Sequence, residues 1–419
     1  MPSHHATSAR PHAARHARRP ESHRIVVGTA LAVTALLAFS VTGVATAYTK
    51  LQGNISSADV TNLLGDDRPA AAVAPDPNDP NAGRALNILL MGSDVRDGEN
   101  AAIGGSVDGM RSDTTIVLHL SADRKRADLV SIPRDTLVDI PACERSDGSS
   151  SKAQKGQFNA AFSIGSQSGE VSDAAACAMR TVEKNTDLRL DDFVVIDFAG
   201  FTRMVDALGG VPICVPNDMD SPKAGLSLTA GQQTLDGTTA LAFARARTGT
   251  GVGDGSDTNR IGRQQQLLAA TVRAVQSKNL LTDVPELLQF LNAATSSITA
   301  SPELASIPNL TGLAFSLRGT PSGSITFMTI PFATAPSDPN RVVMTKDADA
   351  VWANLKADQP IVAPAAPAET PAATPGATAD PAAPAAPRHR HRLRRRSPAR
   401  TQSRPTTSPP SAAEDHRGP

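Results

Sequence analysis

The chain has 419 residues, with 41 Lys plus Arg balanced by 41 Asp plus Glu and only 3% aromatic residues. The charges segregate: residues 1–24 carry a net +4, residues 359–419 a net +5, and the body between them a net −9. An acidic body with one Trp and one Tyr argues against nucleic-acid binding through a basic face or stacked rings, and three cysteines exclude a disulfide-stapled mini-fold.

Ile25 to Tyr48 runs 24 residues without a charge, enough for a helix to cross a hydrocarbon core of about 30 Å. Arg10, Arg15, Arg18, Arg19 and Arg24 precede it and only Lys50 follows closely. The positive-inside rule then leaves residues 1–24 as a basic cytoplasmic N-terminus and puts everything after the span outside. Ala45-Thr46-Ala47 resembles a cleavage site, but the apolar run exceeds the ~7–15 residues of a signal peptide. Residues 25–48 are therefore read as a retained single-pass anchor. Outside the membrane cysteines oxidise, and both Cys143 with Cys177 and Cys177 with Cys214 remain open.

Residues 49–84 are polar and then Pro- and Asp-rich, which predicts an extracellular linker. From Leu86 the pattern changes. Short apolar or alternating runs predict strands at 86–92, 114–120, 127–133, 193–197, 211–216 and 324–330. Helices are predicted at 171–186, 198–210 with Gly209-Gly210 as the stop, 235–247, 261–278, 285–294 and 346–356. This alternation predicts an α/β domain over 85–358 with helices on both faces of the sheet. Residues 359–419 are Pro- and Ala-rich and then basic, with eight arginines between Arg388 and Arg404. They are predicted to be disordered, and the basic stretch reads as a solvated run, with a screened, salt-dependent attraction for anionic polymer or lipid headgroups as the alternative.

Ligands of open α/β sheets sit beyond the carboxyl ends of strands, so the charges there matter most. Gly92-Ser93-Asp94 follows the first strand, Arg111-Ser112-Asp113 precedes the second, and Pro133-Arg134-Asp135 follows the third. Arg245-Ala246-Arg247 ends a helix, and a Gly-rich loop leads to Arg260, Arg263 and Gln264. Asp94 and Asp113 suit Mg²⁺, which takes one or two carboxylates and completes its shell with substrate phosphate. Arg134, Arg245, Arg247, Arg260 and Arg263 offer forked donors for phosphate oxygens. The set points to a phosphorylated, most simply a pyrophosphorylated, ligand. Arg245 and Arg247 would point about 200° apart on a continuous helix, so both reach one ligand only if the helix stops there, with Thr248-Gly249 as the break.

The blocks NILLMGSDVR, GMRSDTTIVLHL, ADLVSIPRDTLVDIP, FNAAFSIG, DFVVIDFAGFTRMVDALGGV, ALAFARAR and DGSDTNRIGRQQQLL together resemble the LytR-CpsA-Psr (LCP) family of bacterial wall proteins, over about residues 86–272. The composition resembles that of actinobacterial members. The resemblance implies a single domain with a central mixed β-sheet flanked by helices, after an N-terminal transmembrane helix. It also implies a glycopolymer–peptidoglycan phosphotransferase acting on a polyprenyl pyrophosphate-linked polymer. By motif match Asp94 and Asp113 would be the magnesium carboxylates. Arg134, Arg245, Arg247, Arg260 and Gln264 would bind pyrophosphate, and Arg111 would orient an acidic neighbour. Family members commonly carry Lys where Gln157 stands, and Lys155 is the nearby candidate substitute. The prenyl chain needs an apolar slot, which side chains of the helices after 198 and 261 would line. A polyprenyl pyrophosphate phosphatase and a non-enzymatic wall-associated regulator are the alternatives. The glycopolymer and the general base, for which Asp94 and Asp135 are the candidates, are not assigned by sequence.

Overall fold

A computed structural model describes residues 21–71, 83–94, 110–253, 257–277, 284–317 and 320–362. Along the chain the first elements are α1 (Glu21–Asn54), β1 (Ser56–Ser57), α2 (Thr61–Leu64), β2 (Leu86–Ser93), β3 (Ser112–Leu120), β4 (Ala127–Ser131), β5 (Leu137–Ile140) and β6 (Gln154–Gln157). Then come α3 (Phe158–Gly165), α4 (Val171–Thr186), β7 (Asp192–Asp197), α5 (Phe198–Ala207), β8 (Val211–Val215), β9 (Met219–Ser221), β10 (Leu226–Leu228) and β11 (Gly231–Leu235). The last are α6 (Gly237–Arg245), α7 (Asp257–Ser277), α8 (Val284–Thr295), β12 (Ile298–Ala300), α9 (Ile307–Leu317), β13 (Ile325–Thr329), β14 (Phe332–Ala335), β15 (Asp338–Met344) and α10 (Lys346–Lys356).

Seven strands form one mixed sheet in the order β1-β12-β7-β2-β3-β4-β13. The two-residue period of the strands decides which side chains meet which helices. Leu89, Met91, Val117, Val130, Phe193 and Val195 face one layer, packed with α3, α4 and α10. Leu86, Ile88, Leu118, Leu120 and Val194 face the other, where Leu310, Leu313 and Leu317 of α9 cover them. At the carboxyl ends of β2 and β7 this second face is covered instead by α5, α6 and α7, which share a core with β8 and β11 built on Val205, Val211, Ile213, Phe243 and Leu267. The expected mixed sheet between helices is present.

The N-terminal region departs from the expectation of a linker. α1 continues past the apolar run, and Leu51, Ile55, Val60 and Leu64 are buried against the domain. Gln52 Nε2 donates to Ala305 O at 2.7 Å and its Oε1 accepts from Ile307 N at 2.9 Å. Asn54 donates to Asn292 and Thr295. β1 adds to the sheet edge in parallel with β12. Arg68 makes a forked pair with Glu183, Nε–Oε2 2.9 Å and Nη2–Oε1 2.6 Å. These residues carry few apolar groups, each placed where it is covered, so their composition reads as a stalk while their contacts make them part of the fold. Residues 72–82 and 363–419, including the basic tail, lie outside the described residues. At the other end His119 is buried between Asn87 Oδ1 (2.7 Å) and Asp358 Oδ1 (3.1 Å), and Asp358 also accepts from Arg126 (2.7 Å), tying the chain after α10 to β3 and the turn before β4.

Of the two cysteine pairs left open by sequence, Cys143–Cys177 forms the disulfide, joining the chain after β5 to α4, while Cys214 is free and exposed. On β7, Asp192 is buried and accepts from Ser301 Oγ at 2.6 Å. Burial raises its pKa from 3.8 to about 6. Between those two values the native chain holds a proton that the unfolded chain has released, so stability falls as pH rises through that window. Asp192→Asn is therefore expected to raise the thermal midpoint near pH 7.5 and to give no gain near pH 3.5. Scanning fluorimetry of the detergent-solubilised chain across pH checks this.

Candidate active site

A cavity of about 380 Å³ opens between the second face of the sheet and α5, α6 and α7. Its floor is Leu90, Ile116 and Ile196 of β2, β3 and β7. Its walls include Phe201 and Met204 of α5, Leu241 of α6, and Leu267, Leu268 and Thr271 of α7. It is the apolar slot expected from the helices after 198 and 261. Its charged residues are Arg134, Arg245, Arg247 and Arg260 with Asp113 and Asp197, four cations against two carboxylates.

Each charged group is placed by a local feature. Across β2 and β3, Gly92 pairs with Thr114 but Ser93 pairs with Ser112. Asp113 is the extra residue of this bulge, and a bulge re-aims the side chain it carries. Asp113 Oδ1 accepts from Arg134 Nη1 at 2.8 Å and lies 3.8 Å from Arg260 Nη1. Arg260 Nη2 also donates to Asp113 O at 3.1 Å, so α7 is docked on the bulge itself. The arginine pair is resolved by a helix end. α6 stops at Arg245, Ala246 is extended (φ −56, ψ 131), and Arg245 and Arg247 both reach the cavity. The break falls at Ala246, ahead of the Thr248-Gly249 expected. Arg245 Cζ sits 4.7 Å from the centre of the Phe198 ring, a cation–π contact that orients the guanidinium.

Other predicted residues are placed differently. Arg263 is buried and does not line the cavity: it donates to Phe243 O (3.1 Å), Val252 O (2.6 Å) and Ala246 O. These are carbonyls that the end of α6 and the following loop leave without helical partners. Its three consecutive glutamine successors diverge because helix positions rotate by about 100° each. Gln264 lines the cavity and donates to Ala244 O. Gln265 reaches Ser131 and Thr329 on the sheet, and Gln266 reaches Cys214 O. The side chain of Arg111 is exposed; its backbone N–H donates to Asp94 Oδ1 at 2.6 Å, so the main chain orients Asp94. Asp94 is buried beside the bulge and does not line the cavity. The glycines of the 248–253 loop serve packing. Gly249 (φ 139) and Gly251 (φ 68) lie so close to the 218–221 segment that a Cβ would sit 2.0 Å from Asp220 O and 1.9 Å from Asp218 O.

Gln157 stands at the N-terminal end of α3 beside Asp135 without capping the helix through its side chain. Lys155 does not take the place of a lysine there: it is 86% exposed and faces Asp139 across β5–β6 at 3.4 Å. Arg341 on β15 was not singled out from the sequence, yet it lies 3.8 Å from Asp135. It falls in the turn-like run Asp338-Pro339-Asn340-Arg341, which has no pattern to mark it. On the far side of the arginine pair a second hollow of about 320 Å³ is lined by Ser221, Lys223, Ala224 and Thr248 with Arg245 and Arg247. Among the described residues no cluster of three or more His, Cys, Asp or Glu could hold a metal. Asp113 on the bulge and Asp94, whose N–H donates to Arg111 O beside it, carry hard oxygen donors of the kind Mg²⁺ takes when substrate phosphate completes its shell. α1 includes a helical stretch, Arg24–Asn54, long and apolar enough to cross a membrane.

Fold and site together define an α/β protein with an N-terminal helix long and apolar enough to cross a membrane and, over the second face of its sheet, a largely apolar cavity with four arginines among its lining residues. The chain belongs to the LytR_cpsA_psr family, whose model matches residues 47–357. It is 32% identical over 253 residues to the "Probable cell wall biosynthesis protein LcpB" of Corynebacterium glutamicum, covering 59% of this chain and 54% of that protein. It is 32% identical over 203 residues to the polyisoprenyl-teichoic acid–peptidoglycan teichoic acid transferase TagU of Enterococcus faecalis, covering 48% and 58%. The chain thus spans about half the length of the curated relatives it matches. Among solved structures, the LytR-Csp2A-Psr enzyme from Actinomyces oris superposes with a TM-score of 0.51 at 18% identity, over 72% of this chain and 96% of that one. That likeness establishes the shared fold.

The different placement of two neighbouring arginines is directly testable. Arg263→Ala would leave three carbonyls without their charged donor and is expected to cost about 2–4 kcal/mol. Arg247→Ala at the cavity mouth is expected to change stability by less than about 1 kcal/mol. Urea unfolding of the two variants compares them.

Proposed function

We propose that the protein transfers a wall glycopolymer from a polyprenyl pyrophosphate carrier to peptidoglycan, forming a phosphodiester. The observation that carries this reading is the apolar slot with four arginines among its lining residues. A prenyl tail is covered by Leu90, Ile116, Ile196, Leu241 and Leu268, and the two negative charges of a pyrophosphate diester match the cationic excess at the mouth. Relatives named as cell wall biosynthesis proteins and teichoic acid transferases support the same class of reaction.

In this reading Arg134, Arg245, Arg247 and Arg260 hold the pyrophosphate so that its two phosphorus centres are fixed relative to the acceptor. A hydroxyl oxygen of peptidoglycan attacks the phosphorus that bears the polymer. The bond from that phosphorus to the bridging oxygen breaks, polyprenyl phosphate leaves, and the hydroxyl proton passes to a base. Phosphoryl transfer depends on positioning and on stabilising charge at the oxygens, which forked, permanently charged guanidinium groups supply. Asp94 and Asp113 would hold Mg²⁺ at the donor phosphates, where the ion would offset part of their charge. The hollow beyond Arg245 and Arg247 leaves room for the acceptor to approach from the side opposite the tail. The Cys143–Cys177 disulfide fits a domain outside the cytoplasm, with the basic N-terminus inside.

The test is the solubilised full-length chain with a synthetic lipid-pyrophosphate-linked saccharide, with and without peptidoglycan oligomers. Transfer supports the reading; phosphate release without transfer would instead make the protein a pyrophosphatase, and retention alone would make it a binding protein. Arg247→Lys keeps the charge but loses the fork, and is expected to lower transfer by ~10²-fold. Arg203→Lys on α5 is expected to leave transfer near normal. Asp113→Ala is expected to reduce both rate and metal dependence. Near-normal transfer by Arg247→Ala together with Asp113→Ala would overturn the site. Filling the slot with Ala244→Phe is expected to slow long-chain prenyl donors more than short ones.

A further inference from the structure

Asp135 faces three arginines, and its two oxygens are divided between them. Oδ2 lies 3.5 Å from Arg134 Nε and 3.9 Å from Arg247 Nη2. Oδ1 lies 3.8 Å from Arg341 Nη1. Gln157 bridges the Oδ1 side. With its amide oxygen turned to the guanidinium, it accepts from Arg341 Nη2 at 2.8 Å and Nε at 3.2 Å, while its amide nitrogen donates to Asp135 Oδ1 at 3.0 Å. Arg341 is held in turn by Asn340 O (3.0 Å) and faces Asp338 at 3.8 Å. The hairpin that carries it is attached by main chain: Val342 N donates to Asp135 O, and Thr136 bridges Val342. Its docking on the site therefore does not depend on the Arg341 side chain.

We infer that Arg341 is a positioning residue for the donor's anionic head: through Gln157 it claims Asp135 Oδ1, so that Asp135 orients Arg134 and Arg247 toward the ligand and does not sequester them. The inference rests on the pyrophosphate reading above. Its electrostatic basis is competition for one carboxylate. An aspartate between two arginines and an anionic ligand draws the same guanidinium groups that the ligand needs. A third arginine, outside the cavity lining, takes up part of that attraction and adds a permanent positive charge behind the site. Loss of Arg341 leaves Asp135 to close on Arg134 and Arg247.

The experiment is isothermal titration of farnesyl pyrophosphate into the detergent-solubilised full chain. Wild type is expected to bind, and Arg341→Ala to bind about tenfold more weakly. Arg341→Ala combined with Asp135→Asn is expected to return to within about threefold of wild type, because the competing charge has gone. Gln157→Ala breaks the same relay from its other end. It is expected to show the same loss and the same rescue, which keeps the test decisive should Arg341→Ala fail to fold. A purely structural role for Arg341 would make the double variant worse than the single one, and that result overturns the inference. So does an Arg341→Ala affinity within about twofold of wild type. No binding by wild type would overturn the pyrophosphate reading along with it, whereas a binding wild type with an inert variant series overturns this inference alone.

Discussion

Arginines from four separate parts of the chain converge on one end of a sheet, and their mutual repulsion is the constraint on which the site depends. Two guanidinium groups about 5 Å apart repel by roughly 3 kcal/mol where the effective dielectric is near 20. The structure meets this with a few placed acceptors. Asp113 stands between Arg134 and Arg260. Asp135 stands among Arg134, Arg247 and Arg341. The ring of Phe198 lies under Arg245. Asp113 and Asp135 against Arg134, Arg245, Arg247, Arg260 and Arg341 leave a positive excess at this end of the sheet.

The scaffold imposes these positions through interruptions of regular structure. A bulge turns Asp113 out of the β2–β3 ladder. The end of α6 at Arg245 lets two residues that a helix would point apart share one cavity. Arg263 fixes that helix end by taking its carbonyls, so a third arginine sets the position of the first two without touching the ligand space. The apolar slot follows from the same arrangement: α5, α6 and α7 cover the sheet at the carboxyl ends of β2 and β7, while α9 covers it further down.

β2, β3, β4, β7, β8 and β13 and α4, α5, α6, α7, α8 and α10 were legible because their apolar periodicity and Gly stops are local properties, whereas the short strands β5, β6, β9–β12, β14 and β15 and the helices α3 and α9 carry too little local pattern to be read. Asp113, Arg134, Arg245, Arg247, Arg260 and Gln264 were legible as a set because they cluster at strand and helix ends. Arg263 shares their motif and charge, and only the path of the α6 carbonyls distinguishes its task. Arg341 was invisible, since its meaning comes from β15 crossing beside Asp135, a contact between residues some 200 positions apart. The docking of 51–68 was hidden for the same reason: its few apolar residues reveal nothing until the partners on α4, α8 and β12 are in place. The cysteine pairing likewise needed the approach of α4 to the chain after β5.

The junction between α1 and the domain has a mechanical consequence. Gln52 and Asn54 hydrogen-bond to the chain before α9 and to α8, while Leu51 and Ile55 are buried. The helix that suits a bilayer therefore enters the folded body as a rigid shaft without a swivel. With this helix across a bilayer, the height of the cavity above the lipid would be set by helical rise, about 1.5 Å per residue, and its azimuth by about 100° per residue. In the proposed reaction a lipid-linked carrier diffuses in the plane of the bilayer, and a site mounted at fixed altitude meets it as a problem in two dimensions. Adding one residue to the shaft would both lift and turn the cavity, so the register of this helix is a dimension of the site itself.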